Sequence, residues 1–184
     1  MSRVLGKRQL VPHPQAAWPP VDVGARLTQF SRSVLKLEYV VTGDIAQLVV
    51  PSAALPQRTD GLWKTTCFEA FATLDDGPAY LEANFSPARQ WALYRFESYR
   101  EGMQPALDLP APEIFVEEHG SDRLAVVALM DLAPFGGKLP AKMGLSAVIE
   151  ARDGTKSYWA LAHPPGAPDF HAPDCFALEL PPQD

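Results

Sequence analysis

The sequence predicts an all-β protein, a two-sheet antiparallel β-sandwich of about ten short strands joined by proline-rich loops. Three observations carry this. Apolar residues recur with period two along most of the chain, while the 3.6-residue period of an amphipathic helix is almost absent. Turn-forming clusters separate the apolar runs at hairpin length. The 19 prolines, about twice the usual ~5 %, gather between those runs, at 12–20, 51–56, 105–112 and 164–173. Proline has no N–H to give a ladder, so these clusters mark connections and edges.

Taken in order, residues 1–30 read as an extended arm packed on the body, with Trp18 and Phe30 as its anchors. Leu35, Leu37, Tyr39 and Val41 alternate with Lys36 and Glu38, a half-buried strand. Thr42-Gly43-Asp44 turns the chain into a second run, 45–50. Further strands are expected over 66–73, 79–85, 91–97, 113–118, 123–131, 143–151, 157–162 and 175–180. Asp75-Asp76-Gly77-Pro78, Ser86 to Gln90 and Asp153-Gly154 supply turn chemistry between them. The 184 residues form one domain on this reading, long enough to bury a core without disulfide or metal.

Composition narrows the function classes. A net charge of −6 with no basic stripe counts against nucleic acid as a partner. No apolar run approaches the ~18 residues of a membrane span, so no membrane partner is expected. The first ten residues lack the apolar stretch of a secretory signal, and only Cys67 and Cys175 are present, both in apolar runs. A reduced, cytoplasmic protein is the expectation.

The segment 62–100 holds the candidate site. Sorted by parity, Phe68, Ala70, Ala72, Leu81, Ala83, Phe85, Ala92, Tyr94 and Phe96 form an apolar core face. The other face carries Cys67, Glu69, Phe71, Tyr80, Glu82, Asn84, Ser86, Trp91, Leu93, Arg95 and Glu97. Aromatic rings mixed with carboxylates, an amide and a guanidinium suit a polar ligand with apolar faces. Cross-strand ion pairing on an exposed sheet is the other reading. The five-residue connection after Phe85 is expected to bring Glu82, Asn84, Trp91 and Arg95 onto one patch.

A second candidate is the stretch from His163 to His171, where two histidines flank Asp169. Zinc would accept such donors, but the spacing is irregular and the loop is rigid with proline. Structural hydrogen bonding is the expectation, with no metal and no cofactor. Hydrolase and phosphate-loop motifs are missing, so a non-catalytic protein is favoured. Glu69 and Glu82 as a glycosidase pair remains a further possibility.

The stretches Leu62 to Phe71, Tyr80 to Pro87, Trp91 to Phe96, Tyr158 to His171 and Leu10 to Pro14 resemble bacterial DOMON-like domains. That group is related to the family 9 carbohydrate-binding modules. The resemblance implies a β-sandwich that binds a sugar or haem. The leading reading is a binding module for a carbohydrate or polyol. Its ligand contacts would be Glu69, Tyr80, Glu82, Asn84, Trp91, Arg95, Trp159 and His163. The alternatives are a haem-binding redox module using His163 or His171 with a methionine, a carbohydrate-active enzyme, and a protein-interaction face.

Overall fold

Val21, Val23, Ala25 and Leu27 alternate with Asp22, Gly24, Arg26 and Thr28, and the chain uses that alternation as a strand with one buried face. The computed structural model describes residues 2–15, 17, 19–74 and 77–181. Its thirteen strands are β1 (Arg3–Gln9), β2 (Val11–Pro12), β3 (Val21–Gln29), β4 (Val34–Gly43), β5 (Cys67–Thr73), β6 (Tyr80–Phe85) and β7 (Trp91–Phe96), followed by β8 (Gln104–Pro105), β9 (Glu113–His119), β10 (Arg123–Asp131), β11 (Lys142–Glu150), β12 (Lys156–Ala160) and β13 (Leu178–Glu179). A five-stranded sheet runs β1-β3-β4-β10-β9, and an eight-stranded sheet runs β2-β12-β11-β5-β6-β7-β8, with β13 also on β11. Every pairing between these strands is antiparallel. No helix among the described residues is long and apolar enough to cross a membrane.

The expected sandwich is therefore present, with three corrections. The segment expected as an arm instead supplies β1 and β3 to the five-stranded sheet, because the β3 alternation fits the inter-sheet core. Phe30 is 55 % exposed and anchors nothing, and Trp18 lies outside the described residues, as do Asp75 and Asp76. The run at 45–50 forms a 3-10 turn, Ile45–Gln47, and a single bridge from Leu48 to Ala151, and in the run at 175–180 only Leu178–Glu179 is a strand, following the 3-10 turn Pro173–Cys175.

Between the sheets, Val23, Leu27, Leu37, Tyr39, Val41, Leu124 and Val126 from one side meet Phe68, Leu81, Phe85, Leu93, Leu145, Ile149 and Trp159 from the other. A polar bond crosses this core: the Tyr39 hydroxyl donates to the Glu69 carbonyl at 2.6 Å. The eight-stranded sheet is also buried on its outer face. A second cluster there joins Cys67, Phe71, Tyr80, Tyr94, Phe96 and Val148 to Leu62, Phe170, Cys175 and Phe176 from covering loops. Gly144 lets that cover approach: a Cβ there would stand 3.1 Å from the Cys175 carbonyl oxygen. The central strands are thus largely buried on both faces, so Glu69 and Glu82 do not stand as ion pairs on an open sheet.

Candidate functional site

Cross-strand partners project from the same face, so the ladder registers fix which residues share the outer face. Glu69 pairs with Asn84 on one side and Ser146 on the other. Glu82 pairs with Phe71 and Tyr94, and Tyr80 with Phe96. Val148 pairs with Tyr158. The face therefore presents Glu69 and Glu82 as diagonal neighbours on β5 and β6. Over it lies an open cavity of about 470 Å³, lined by Trp63, Lys64, Glu69, Glu82, Phe96, Arg100, Met103, Val148, Lys156, Tyr158, Pro168, Phe170 and His171.

Both carboxyls are buried, Glu69 3 % and Glu82 5 % exposed. Their environments differ. Glu82 accepts a hydrogen bond from Asn84 Nδ2 at 2.7 Å, and His171 Nε2 stands 3.7 Å from its other oxygen. The Glu69 carboxyl makes no hydrogen bond to any described residue; its backbone is engaged in the ladder and accepts from Tyr39. Ser146 Oγ beside it, buried, likewise has no partner among the described residues. Burial pushes the Glu69 carboxyl well above the usual range, and the neighbouring Glu82 adds to the effect. Burial raises Glu82 too, opposed by the Asn84 hydrogen bond and the Arg100 charge. The shift favours the protonated Glu69 carboxyl, a form that can donate as well as accept.

Two loops wall the cavity and are tied together at Asp169. Its carboxylate accepts from Tyr99 Oη at 2.5 Å, Arg100 Nη2 at 2.7 Å and the His171 backbone N–H at 3.1 Å. Burial alone would raise the Asp169 carboxyl, but the Tyr99 and Arg100 hydrogen bonds hold it below the ordinary value. Arg100 has a left-handed backbone, φ +56°, and its N–H donates to the Tyr80 hydroxyl at 3.1 Å. The Tyr80 proton is then directed to His171 Nδ1, 2.7 Å away, which leaves the Nε2–H facing Glu82. Burial, with the Arg100 charge, lowers the His171 pKa to about 4, so the ring is neutral at physiological pH. Gly102 (φ +65°) closes the Arg100 loop against Glu97, where a Cβ would stand 2.5 Å from the Glu97 side chain.

Of the residues expected at the site, Glu69, Glu82, Tyr80 and Asn84 do come together on this face. Trp91, Arg95, Trp159 and His163 do not join them. With Phe85 opposite Trp91, cross-strand partners of β6 and β7 share numerical parity, so Ala92, Tyr94 and Phe96 face the cavity side. Trp91 packs instead against the inter-sheet core, and Arg95 pairs with Asp108 at 2.9 Å. Trp159, 2 % exposed, is an inter-sheet core residue whose Nε1 donates to Ser157 Oγ at 3.0 Å. His163 Nε2 sits 2.8 Å from the Val11 carbonyl, outside the cavity lining, and its ring packs edge-on against His13. No group of three or more His, Cys, Asp or Glu among the described residues is placed to hold a metal ion.

The cavity residues Trp63, Lys64, Arg100, Lys156, Tyr158 and Phe170, from a turn, two loops and β12, were not among the expected ligand contacts. Strand parity could have found Tyr158 and Lys156, since both alternate with core Trp159. No local pattern marks Trp63, which is 37 % exposed on the rim, or Arg100.

No protein-family model matches this sequence, and no curated protein matches it. Solved structures do. A "putative carbohydrate-binding protein" of Bacteroides uniformis ATCC 8492 superposes with a TM-score of 0.64 at 14 % identity, over 93 % of this chain and 84 % of that one. A family 9 carbohydrate-binding module of Caldicellulosiruptor kristjanssonii matches with cellotriose bound (TM-score 0.47, 14 % identity, 86 % of this chain and 74 % of that one). The module also matches with glucose bound (TM-score 0.46, 14 % identity, 86 % and 76 %). At 14 % identity the Bacteroides uniformis protein is similar to this chain in fold: both are β-sandwiches arranged alike over most of their length.

Proposed function

We propose that this chain is a non-catalytic saccharide-binding module whose ligand occupies the cavity on the outer face of the eight-stranded sheet. The observation that carries the reading is Glu69. A buried carboxyl without a hydrogen-bond partner costs stability, and it is kept at the floor of an aromatic-walled cavity. A pyranose would satisfy it, with hydroxyls donating to and accepting from Glu69 and Glu82. Trp63 and Tyr158 would cover the apolar faces of the ring. The fold likeness to a protein named for carbohydrate binding supports the same reading.

A binding role is favoured over hydrolysis by where the carboxyls stand. Glycosidase pairs flank the scissile bond from opposite sides. Glu69 and Glu82 leave the same face of neighbouring strands, so a ligand lying on the sheet meets both from below.

Calorimetric titration of glucose, xylose, cellobiose and glucuronic acid tests the proposal. At least one should bind, and Trp63→Ala and Glu69→Leu should each weaken it about tenfold or more while both variants stay folded. Absence of binding to the panel, or wild-type affinity in both variants, would reject it.

A further inference from the structure

We infer that the ligand is an anionic saccharide, a sugar ring carrying a carboxylate or phosphate, with its acid group held between Lys64 and Lys156. This rests on the saccharide reading of the same cavity and adds the class of ligand. The chain carries 22 acidic against 16 basic side chains, yet three basic residues, Lys64, Arg100 and Lys156, line this one cavity. Arg100 is committed to Asp169 at 2.7 Å. Lys64 and Lys156 make no ion pair with any described residue.

The two lysines stand at one end of the cavity. Lys64 closes the 3-10 turn Leu62–Lys64, and two residues later Thr66 Oγ accepts the Glu150 backbone N–H at 3.1 Å. Glu150 is the cross-strand partner of Lys156, so the turn and the start of β12 are drawn to the same end of the sheet. Glu150 forms no ion pair with Lys156, and Lys156 lines the cavity. Arg100, with Tyr80 and Phe96, marks the opposite end.

The cavity is thus polarised along its length. Its lysine end supplies two unengaged cations, and its floor supplies carboxyls that can bond hydroxyls. An ammonium ligand would meet the lysines' repulsion, and a neutral sugar would leave both cations unused. A sugar acid uses every group, and its charge-assisted bonds should dominate discrimination between ligands.

Calorimetry on the full chain would compare glucuronic acid, its methyl ester, glucose 6-phosphate and glucose at low and high salt. An acidic sugar should bind about tenfold more tightly than its neutral counterpart, with the advantage shrinking at high salt. The Lys64→Gln/Lys156→Gln double variant should erase that advantage, its fold checked by thermal melting. Preference for glucose 6-phosphate over glucuronic acid assigns the acid group as phosphate, and the reverse assigns it as carboxylate. Equal affinity for acidic and neutral sugars, or an acid preference that survives in the double variant, overturns this inference but leaves saccharide binding standing. Failure of every sugar to bind overturns both.

Discussion

Glu69 and Trp63 show how stability and function separate at single residues. The Glu69 carboxyl is desolvated and has no hydrogen-bond partner among the described residues, so replacing it with an apolar side chain of similar size removes a cost. Glu69→Leu should therefore stabilise the fold by about 1–3 kcal/mol at neutral pH, measured by urea denaturation, while losing ligand affinity. The pH dependence has a defined sign. A carboxyl raised above its ordinary value of 4.5 binds its proton more tightly folded than unfolded. Its favourable contribution is complete below that value and is lost as pH rises towards the folded pKa. Stability of the wild type should decline over this interval more than that of Glu69→Leu. Tryptophans give the complementary contrast. Trp159→Ala, which empties part of the inter-sheet core, should cost about 3–5 kcal/mol. Trp63→Ala, at the rim, should cost far less and report on binding alone. Equal losses of stability in the two would contradict these placements.

At the scale of elements, β7 and the two cavity loops decide the site. β7 alternates Trp91, Leu93 and Arg95 with Ala92, Tyr94 and Phe96, and both sets hold large apolar groups, so hydrophobicity alone does not choose its face. The five-residue connection chooses it: an odd number of intervening residues keeps even positions opposite even positions. That information is present in the sequence, and it outweighs the apparent chemical match of Arg95 with Glu82. The loops depend on Asp169, whose three hydrogen bonds join Tyr99 and Arg100 to the backbone at His171. Asp169→Ala should raise amide hydrogen exchange over 97–103 and 163–172 and weaken binding, with protection in β5 and β11 unchanged. Uniform loss of protection would mean that Asp169 supports the whole fold. His171 adds an acid-side signature. Its pKa falls from 6.5 to about 4 on folding, so stability should drop as pH is lowered through that interval. His171→Gln should lose less stability there, read as melting temperature against pH.

For the whole molecule, the important feature is a sheet buried on both faces, one by its partner sheet and the other by its own loops. Tyr39 links the layers, since its hydroxyl crosses the core to the carbonyl of the residue whose side chain faces the cavity. Tyr39→Phe leaves that buried acceptor one partner short and should cost about 1–3 kcal/mol in a denaturant melt. If stability is unchanged, the bond adds nothing to the stack. The outer face of the five-stranded sheet mixes charged residues, among them Arg26, Lys36 and Glu38, with partly exposed Val40, Val127 and Phe115.

By itself the sequence determined the fold class, most strand positions and the faces of β5 and β6. Period-two alternation and proline punctuation are local properties that do not need the rest of the chain to be read. It also singled out Glu69 and Glu82, because charges amid aromatic residues on one strand face are rare. Only the tertiary structure decided what surrounds them. Trp63, Arg100, Lys156 and Phe170 come from a turn, two loops and a strand far apart in the chain. They meet because the loops must cover an apolar sheet face, and that need is a property of the assembled sheet rather than of any segment. The same assembly placed Trp159 in the inter-sheet core and turned His163 to a backbone carbonyl. Side-chain chemistry made both residues eligible for a binding site, and register and packing assigned them elsewhere.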